Sequence, residues 1–306
     1  MKMLTKDALN EIERQIYNKG RDIDVAIFNG LLDKENRDFV IDCLMLYVNK
    51  DGGFGSGLYI DNYNTNSSVY QTYEALRILD MLDIDKNYPH PILASSIQKM
   101  GNYLFNRCLL ENDTWNPCIP SNKDFAHSME MEYQKDYMKT WGAFPTQAIL
   151  GYFLTLMDDT KVYYKKALKQ LEKMFDYFFS ATDLNCYDMI GFNSLLGSLK
   201  KSGLYLKEAQ RMEEKLLKLG HEKLADPNFD ILTMLSNCTL DEVLQVKKEE
   251  ALDDLIEARK SHGLWEHTKD WGTKNYPEAD SASLKWLGAE TVLALDKLIK
   301  GGRVEL

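Results

Sequence analysis

The sequence has no C-x-x-C pair and no Cys and His at zinc-finger spacing, and no apolar run nears the roughly 18 residues of a membrane span. Its five cysteines, Cys43, Cys108, Cys118, Cys186 and Cys238, are scattered and odd in number, which excludes a disulfide framework and reads as reduced, mostly buried thiols. Prolines are few, 7 in 306 residues, so little interrupts regular structure. Basic residues are the minority: 37 Lys and Arg against 47 Asp and Glu give a net charge of −10. Such a field repels phosphate backbones and anionic lipid, so neither nucleic acid nor membrane is expected as a partner. The opening MKMLTKDALNEIERQIYNKG is charged throughout and lacks the apolar core of a signal peptide, which predicts a cytoplasmic protein.

What is present is helical periodicity. Apolar residues recur at i, i+3, i+4 and i+7, and sustained alternation is almost absent, so the fold is expected to be all-α. The spacing predicts helices over 7–18, 22–33, 35–49, 66–84, 91–111, 138–158, 160–180, 187–202, 205–220, 228–237, 239–261 and 280–299. Breakers at 18–20, 51–53, 111–113, 181–183, 225–227 and 261–263 divide this dozen into about six pairs. Helices such as 165–179 carry one charged face and belong outside, whereas 142–157 and 189–199 are apolar or small all round and must be surrounded by protein. An outer ring of the first kind around an inner ring of the second describes a single-domain (α/α)6 toroid over residues 1–306, with an open solenoid as the alternative. The long connections 50–65, 112–137 and 262–279 are then expected to converge around one mouth of a central cavity.

The chain also repeats itself. Laying 67–82 on 283–298 aligns Ser67 with Ser283, Tyr70 with Trp286, Glu74 with Glu290, Leu79 with Leu295 and Asp80 with Asp296. The first copy follows the turn Asp51-Gly52-Gly53-Phe54-Gly55 and continues through Thr72, Ala75, Leu76 and Leu79. In this it resembles the repeat of the terpenoid cyclase and protein prenyltransferase superfamily, a D-G-G-F/W-G turn followed by T-x-x-A-L-x-x-L. A partial copy lies at 262–295, around Trp265 and Thr291, and a weaker one at 112–157, DTWNP with WGAFPTQA. The resemblance implies an α/α toroid. The turn itself has a structural role in chain reversal, through paired glycines and a buried aromatic.

The superfamily's chemical signatures are missing. There is no D-x-D-D motif, and Asp253-Asp254-Leu255-Ile256-Glu257, the single D-D-x-x-D/E match, sits on a charged outer helix where a solvated face is the favoured reading. Of five histidines, only His127 and His267 could join Cys118 at the rim, and no zinc ligand set emerges; no metal and no cofactor are expected.

The rim is the candidate site. Its three loops, the second taken here as 112–141, hold four of the five tryptophans, and Tyr59, Trp115, Tyr137, Trp141, Trp265, His267 and Trp271 are the candidate ligand-binding residues. Aromatic faces beside carboxylates suit a small-molecule or glycan ligand, and glycoside hydrolysis needs two such acids. Glu278 and Asp280 are the candidate acid and base, with Asp61 opposite; alternatively Asp280 caps helix 280–299. Isolated polar residues on inner helices, Glu74, Gln147, Asn193, Asp230, Lys285 and Glu290, either pair in the barrel or face a wet cavity. The competing function is a toroid that binds an isoprenoid or peptide without catalysis.

Overall fold

A computed structural model describes residues 1–108, 110–267, 270–272 and 276–306. The described chain is mostly helical: α1 (Lys6–Lys19), α2 (Asp22–Leu32), α3 (Arg37–Leu44), α4 (Val69–Met81), α5 (Leu93–Arg107), α6 (Met138–Trp141), α7 (Thr146–Leu156), α8 (Val162–Ser180), α9 (Cys186–Ser202), α10 (Leu206–Glu222), α11 (Ile231–Met234), α12 (Glu242–Glu257) and α13 (Glu278–Lys300). One small antiparallel hairpin, Leu110–Glu111 with Thr114–Trp115, was not expected from periodicity. Asn112 and Asp113, both at positive φ, supply its two-residue turn.

Burial separates two kinds of helix. Every residue of α7 except Thr155 is buried, whereas α8 buries a stripe through Tyr164, Ala167, Leu171, Met174 and Phe178 and leaves its lysines in water. α7 packs on α4, α9 and α8, and α13 packs on α12, α1 and α2. The ends of the chain are joined: Leu4 pairs with Val304, and the Leu4 N–H donates to the Arg303 carbonyl at 2.8 Å.

The repeats are carried by a shared hydrogen bond. After each turn an aromatic residue donates its backbone N–H to a threonine hydroxyl of the following helix: Phe54 to Thr72 at 3.1 Å, Trp115 to Thr146 at 2.8 Å, and Trp265 to Thr291 at 3.3 Å. All three aromatic rings are buried. In the first repeat, Asp51 Oδ1 accepts the Gly53 N–H at 3.0 Å and the Ser67 hydroxyl at 2.7 Å, the structural role expected of that turn.

Several helix boundaries moved. The predicted 138–158 helix is broken into α6 and α7 because Gly142 stands at φ 58 and Pro145 has no N–H to offer. The break is held by Asp188 of α9, whose carboxylate accepts the Ala143 N–H at 2.8 Å and the Tyr177 hydroxyl at 3.0 Å. The 228–237 helix shrinks to the single turn of α11. There the Asn193 side chain takes the Thr233 carbonyl and the Asn237 N–H, pulling the chain out of helical pairing.

Burial pushes the Asp188 carboxyl up from 3.8 to about 6, against the pull of its three donors. The folded state therefore holds this proton more tightly than the unfolded chain. Its contribution to stability is fully present below pH 3.8 and is lost as the pH rises through about 6. An Asp188→Asn variant, neutral throughout, is expected to match the wild type near pH 3.5 and to exceed it near pH 8 by up to about 3 kcal/mol. Urea titrations at the two pH values test this; parallel stability curves would refute it.

Candidate functional site

The three long loops meet as expected. Asn62 bridges to His127, the Tyr63 N–H donates to the Ala126 carbonyl at 3.0 Å, and the Met129 N–H donates to the Asp270 carbonyl at 2.9 Å. Ring contacts add to this: Tyr63 on Trp271 at 6.3 Å and His127 on Tyr276 at 5.8 Å. They do not frame an open mouth. Ile60, Asp61 and Asn62 are at most 2% exposed, so among the described residues this end is a packed floor.

Above the floor lies a cavity of about 580 Å³. Its lower wall holds Tyr59, Tyr70, Phe144, Tyr187, His267 and Trp286, and its middle holds Tyr73, Glu74, Arg77, Tyr152, Asn193 and Glu290. Its far end is charged and wet: Asp83, Lys201 and Lys300 have side-chain exposures of 66%, 44% and 56%. Residues from the start of α4, α9 and α13 lie at the floor and residues from their ends at the charged rim, so these helices run in the same direction. The opening is thus opposite the three loops, a correction to the expected geometry. Its physical reason is the aromatic content of the loops, which gains most by burying ring area against one another.

The wall is polar but paired. Arg21 donates Nε and Nη2 to Asp24 and Nη1 to the carbonyls of Gly57 and Leu58, pinning the first loop to α2. Glu74 pairs with Arg77 at 2.7 Å, His267 Nδ1 lies 3.5 Å from Glu290, and at the rim Lys201 bonds Asp80 and Lys297 bonds Asp230. Glu130, beneath the floor, accepts the hydroxyl of Tyr59 at 3.3 Å and that of Tyr187. Burial pushes Tyr59, Tyr70 and Tyr152 well above the usual phenol value, so these groups stay neutral donors.

The predicted site residues divide. Tyr59 and His267 line the cavity. Trp115, Tyr137, Trp141, Trp265 and Trp271 do not: Trp115 packs on Phe105, Tyr137 bonds the Thr114 hydroxyl at 2.6 Å, and Trp141 stands behind Tyr70 and Tyr187. Trp265 donates Nε1 to the Leu255 carbonyl at 2.7 Å, and Trp271 rests on Tyr63 and Tyr276. The candidate acid and base are not brought together. Glu278 and Asp280 occupy the first turn of α13 outside the cavity, Asp280 exposed, where their charge favours the helix N-terminus. Asp280 is not the cap either, since α13 begins two residues earlier. Asp61 is fully buried and accepts Trp286 Nε1 at 2.9 Å, which makes it a support for a cavity-lining ring.

Trp286, the one tryptophan outside the predicted set, is the one in the cavity. The internal alignment of Tyr70 with Trp286 and Glu74 with Glu290 held the signal: in both helices the aromatic at i and the carboxylate at i+4 share the cavity face. Of the isolated polar residues, Glu74, Asn193, Asp230 and Glu290 line the cavity; Lys285 bonds Tyr63 at 3.0 Å and Gln147 packs against Gly191 of α9.

Among the described residues no group of three or more His, Cys, Asp and Glu is placed to hold a metal ion. Each of the five histidines faces a carboxylate, and burial pushes the Cys118 thiol up, away from the thiolate a metal requires. In the D-D-x-x-E segment Asp254 and Glu257 are exposed, as the solvated-face reading expects, while Asp253 takes the Lys2 N–H at 2.7 Å and Arg303, and Glu257 pairs with Lys2. Among the described residues no helix is long and apolar enough to cross a membrane. Comparison with protein-family models, with curated proteins and with solved structures finds no match to the chain.

Proposed function

We propose that the hairpins close into an (α/α)6 toroid of the kind the terpenoid cyclase and prenyltransferase repeat implies, and that its cavity binds a small polyhydroxylated ring compound, carbohydrate-like in chemistry. The packing of α13 on α1 and α2 and the pairing of Leu4 with Val304 support closure. The observation that carries the ligand reading is the repeated register of ring and carboxylate, Tyr70 with Glu74 and Trp286 with Glu290, facing one cavity from two helices. Ring faces stack on sugar C–H groups, and carboxylates accept hydroxyl protons. If the protein is an enzyme, Glu74 and Glu290, with His267 beside the second, are the groups placed to exchange protons with a substrate. The competing isoprenoid ligand is disfavoured: an apolar chain would strip water from Glu74 and Arg77 without replacing its hydrogen bonds.

Trp286 also makes the test practical. Titrating a panel of mono- and disaccharides is expected to change tryptophan fluorescence saturably. Trp286→Ala is expected to weaken binding about tenfold, the equivalent of one aromatic contact of about 1.4 kcal/mol, while Trp286→Phe retains most of it. Saturable binding of farnesol with no response to any saccharide would overturn the reading in favour of the apolar one.

A further inference from the structure

The middle of the cavity holds donors that the protein does not use. Arg77 gives Nε and Nη2 to Glu74 Oε2, and its guanidinium makes no other hydrogen bond to a described residue. Although α4 is otherwise buried there, 26% of the Arg77 side-chain surface stays open, and the opening is the cavity. Tyr73 and Tyr152 stand near Arg77 and Tyr70 lies about two turns earlier on α4, all three at most 7% exposed and lining the same cavity. No described residue hydrogen-bonds the Tyr70 hydroxyl, and those of Tyr73 and Tyr152 turn toward each other and Ser194, the two rings stacked 6.2 Å apart. A buried phenol ordinarily has a partner, so the Tyr70 hydroxyl and the edge of Arg77 turned away from Glu74 form a donor set suited to an acceptor on a ligand.

Charge decides what kind of acceptor fits. The chain carries −10 overall, yet the cavity lining holds Arg21, Arg77 and four lysines against seven carboxylates, which makes it nearly neutral. An anion is therefore repelled less there than at the remaining surface. The allowance is small. Glu74 is bonded to Arg77, and Asp296, next along the same wall, feels the Arg77 charge while pairing with Lys300. The edge of Arg77 not bonded to Glu74 offers donors for one carboxylate; a phosphate dianion would add a second charge that Glu74 and Asp296 oppose.

We infer that Arg77, with Tyr70 and Tyr73, anchors a carboxylate of the ligand, so that the compound held in the cavity is an acidic sugar or a similar monocarboxylate. This inference rests on the carbohydrate-like reading for the rest of the ligand, and the experiment separates the two. Calorimetric titrations of glucuronate, glucose, glucose 6-phosphate and benzoate into the full chain are compared for the wild type, Arg77→Gln and Arg77→Lys. Because Arg77→Gln strands Glu74, the double variant Glu74→Gln/Arg77→Gln is run alongside, with thermal unfolding as the check on folding.

Glucuronate is expected to bind at least tenfold more tightly than glucose, to lose that advantage in both Gln variants, and to regain part of it in Arg77→Lys. Equal affinity for glucuronate and glucose, or an equal loss for both in the Gln variants, overturns the carboxylate anchor while leaving a sugar cavity. Arg77-dependent binding of benzoate with no response to any sugar keeps the anchor and overturns the sugar reading. Preference for glucose 6-phosphate over glucuronate overturns the monoanion assignment. Absence of binding by all four compounds overturns both.

Discussion

Gly142→Ala is expected to lower the unfolding free energy by about 2–6 kcal/mol. Two costs combine. Gly142 stands at φ 58 and ψ −136, a backbone region open to glycine and strained for any residue with a Cβ, worth about 1–3 kcal/mol. The added Cβ would also lie 2.3 Å from Asp188 Oδ2 and 2.4 Å from its Oδ1. That carboxylate cannot retreat without giving up the Ala143 N–H and the Tyr177 hydroxyl, a further loss of about 1–3 kcal/mol. Chemical denaturation measures the sum, and a double variant with Asp188→Gly separates the parts. Removing the carboxylate relieves the clash and leaves the backbone strain, so the two substitutions should be less than additive. A Gly142→Ala midpoint equal to the wild type would show that the turn between α6 and α7 is not built as described.

Arg303→Ala is expected to lower stability by about 3 kcal/mol and the melting temperature by roughly 5 °C. Arg303 is 1% exposed and collects four acceptors at the seam where the chain's ends meet: the Lys2 carbonyl at 2.7 Å, Asp253, and both the carbonyl and carboxylate of Glu249. The Lys2 N–H and Arg303 together hold the Asp253 carboxyl down to about 2, so the pairing persists across the ordinary pH range. Alanine leaves Glu249 without its cation and Asp253 with only the N-terminal ammonium as a cation, at 3.4 Å, and frees the pairing of Leu4 with Val304. Hydrogen exchange should then rise first in residues 1–5 and in α12. Loss of stability without added exchange at the termini would place the damage elsewhere.

Much of this architecture is written in local pattern. The contrast between α7, buried on all sides, and α8, buried along a stripe, follows from which positions carry charge, and a single sequence displays that. The repeat was legible because its turn needs particular residues: Gly52 at φ 95 with its α-hydrogen against the Lys99 backbone, an aromatic at 54, and a threonine at 72 to receive that aromatic's N–H. Such requirements recur wherever the turn does, which is why Trp265 with Thr291 and even the faint Trp115 with Thr146 aligned correctly.

The loops gave two residues of the cavity, Tyr59 and His267; the rest of the site was legible through that repeat. Counting aromatics in the long loops pointed to Trp115, Trp141, Trp265 and Trp271, and those rings are spent on the floor and between helices. A ring in a loop and a ring in a cavity wall have the same composition; which of them meets empty space depends on what packs behind it. Glu278 and Asp280 illustrate the same limit: they stand in the first turn of α13, while the cavity wall is reached only at Trp286, about two turns further on, and at Glu290.

The sequence by itself determined the all-helical class, the contrast between exposed and enclosed helices, and the residues of the repeated turn, because these rest on periodicity and on backbone conformations that few residues tolerate. Only the tertiary structure decided which end of the cavity is open, that Asp253 and Glu257 secure the N-terminal segment, and that Arg77 and its tyrosines share one pocket. Those are relations between segments far apart in the chain, set by how bulky side chains divide the interior, and no local pattern encodes them.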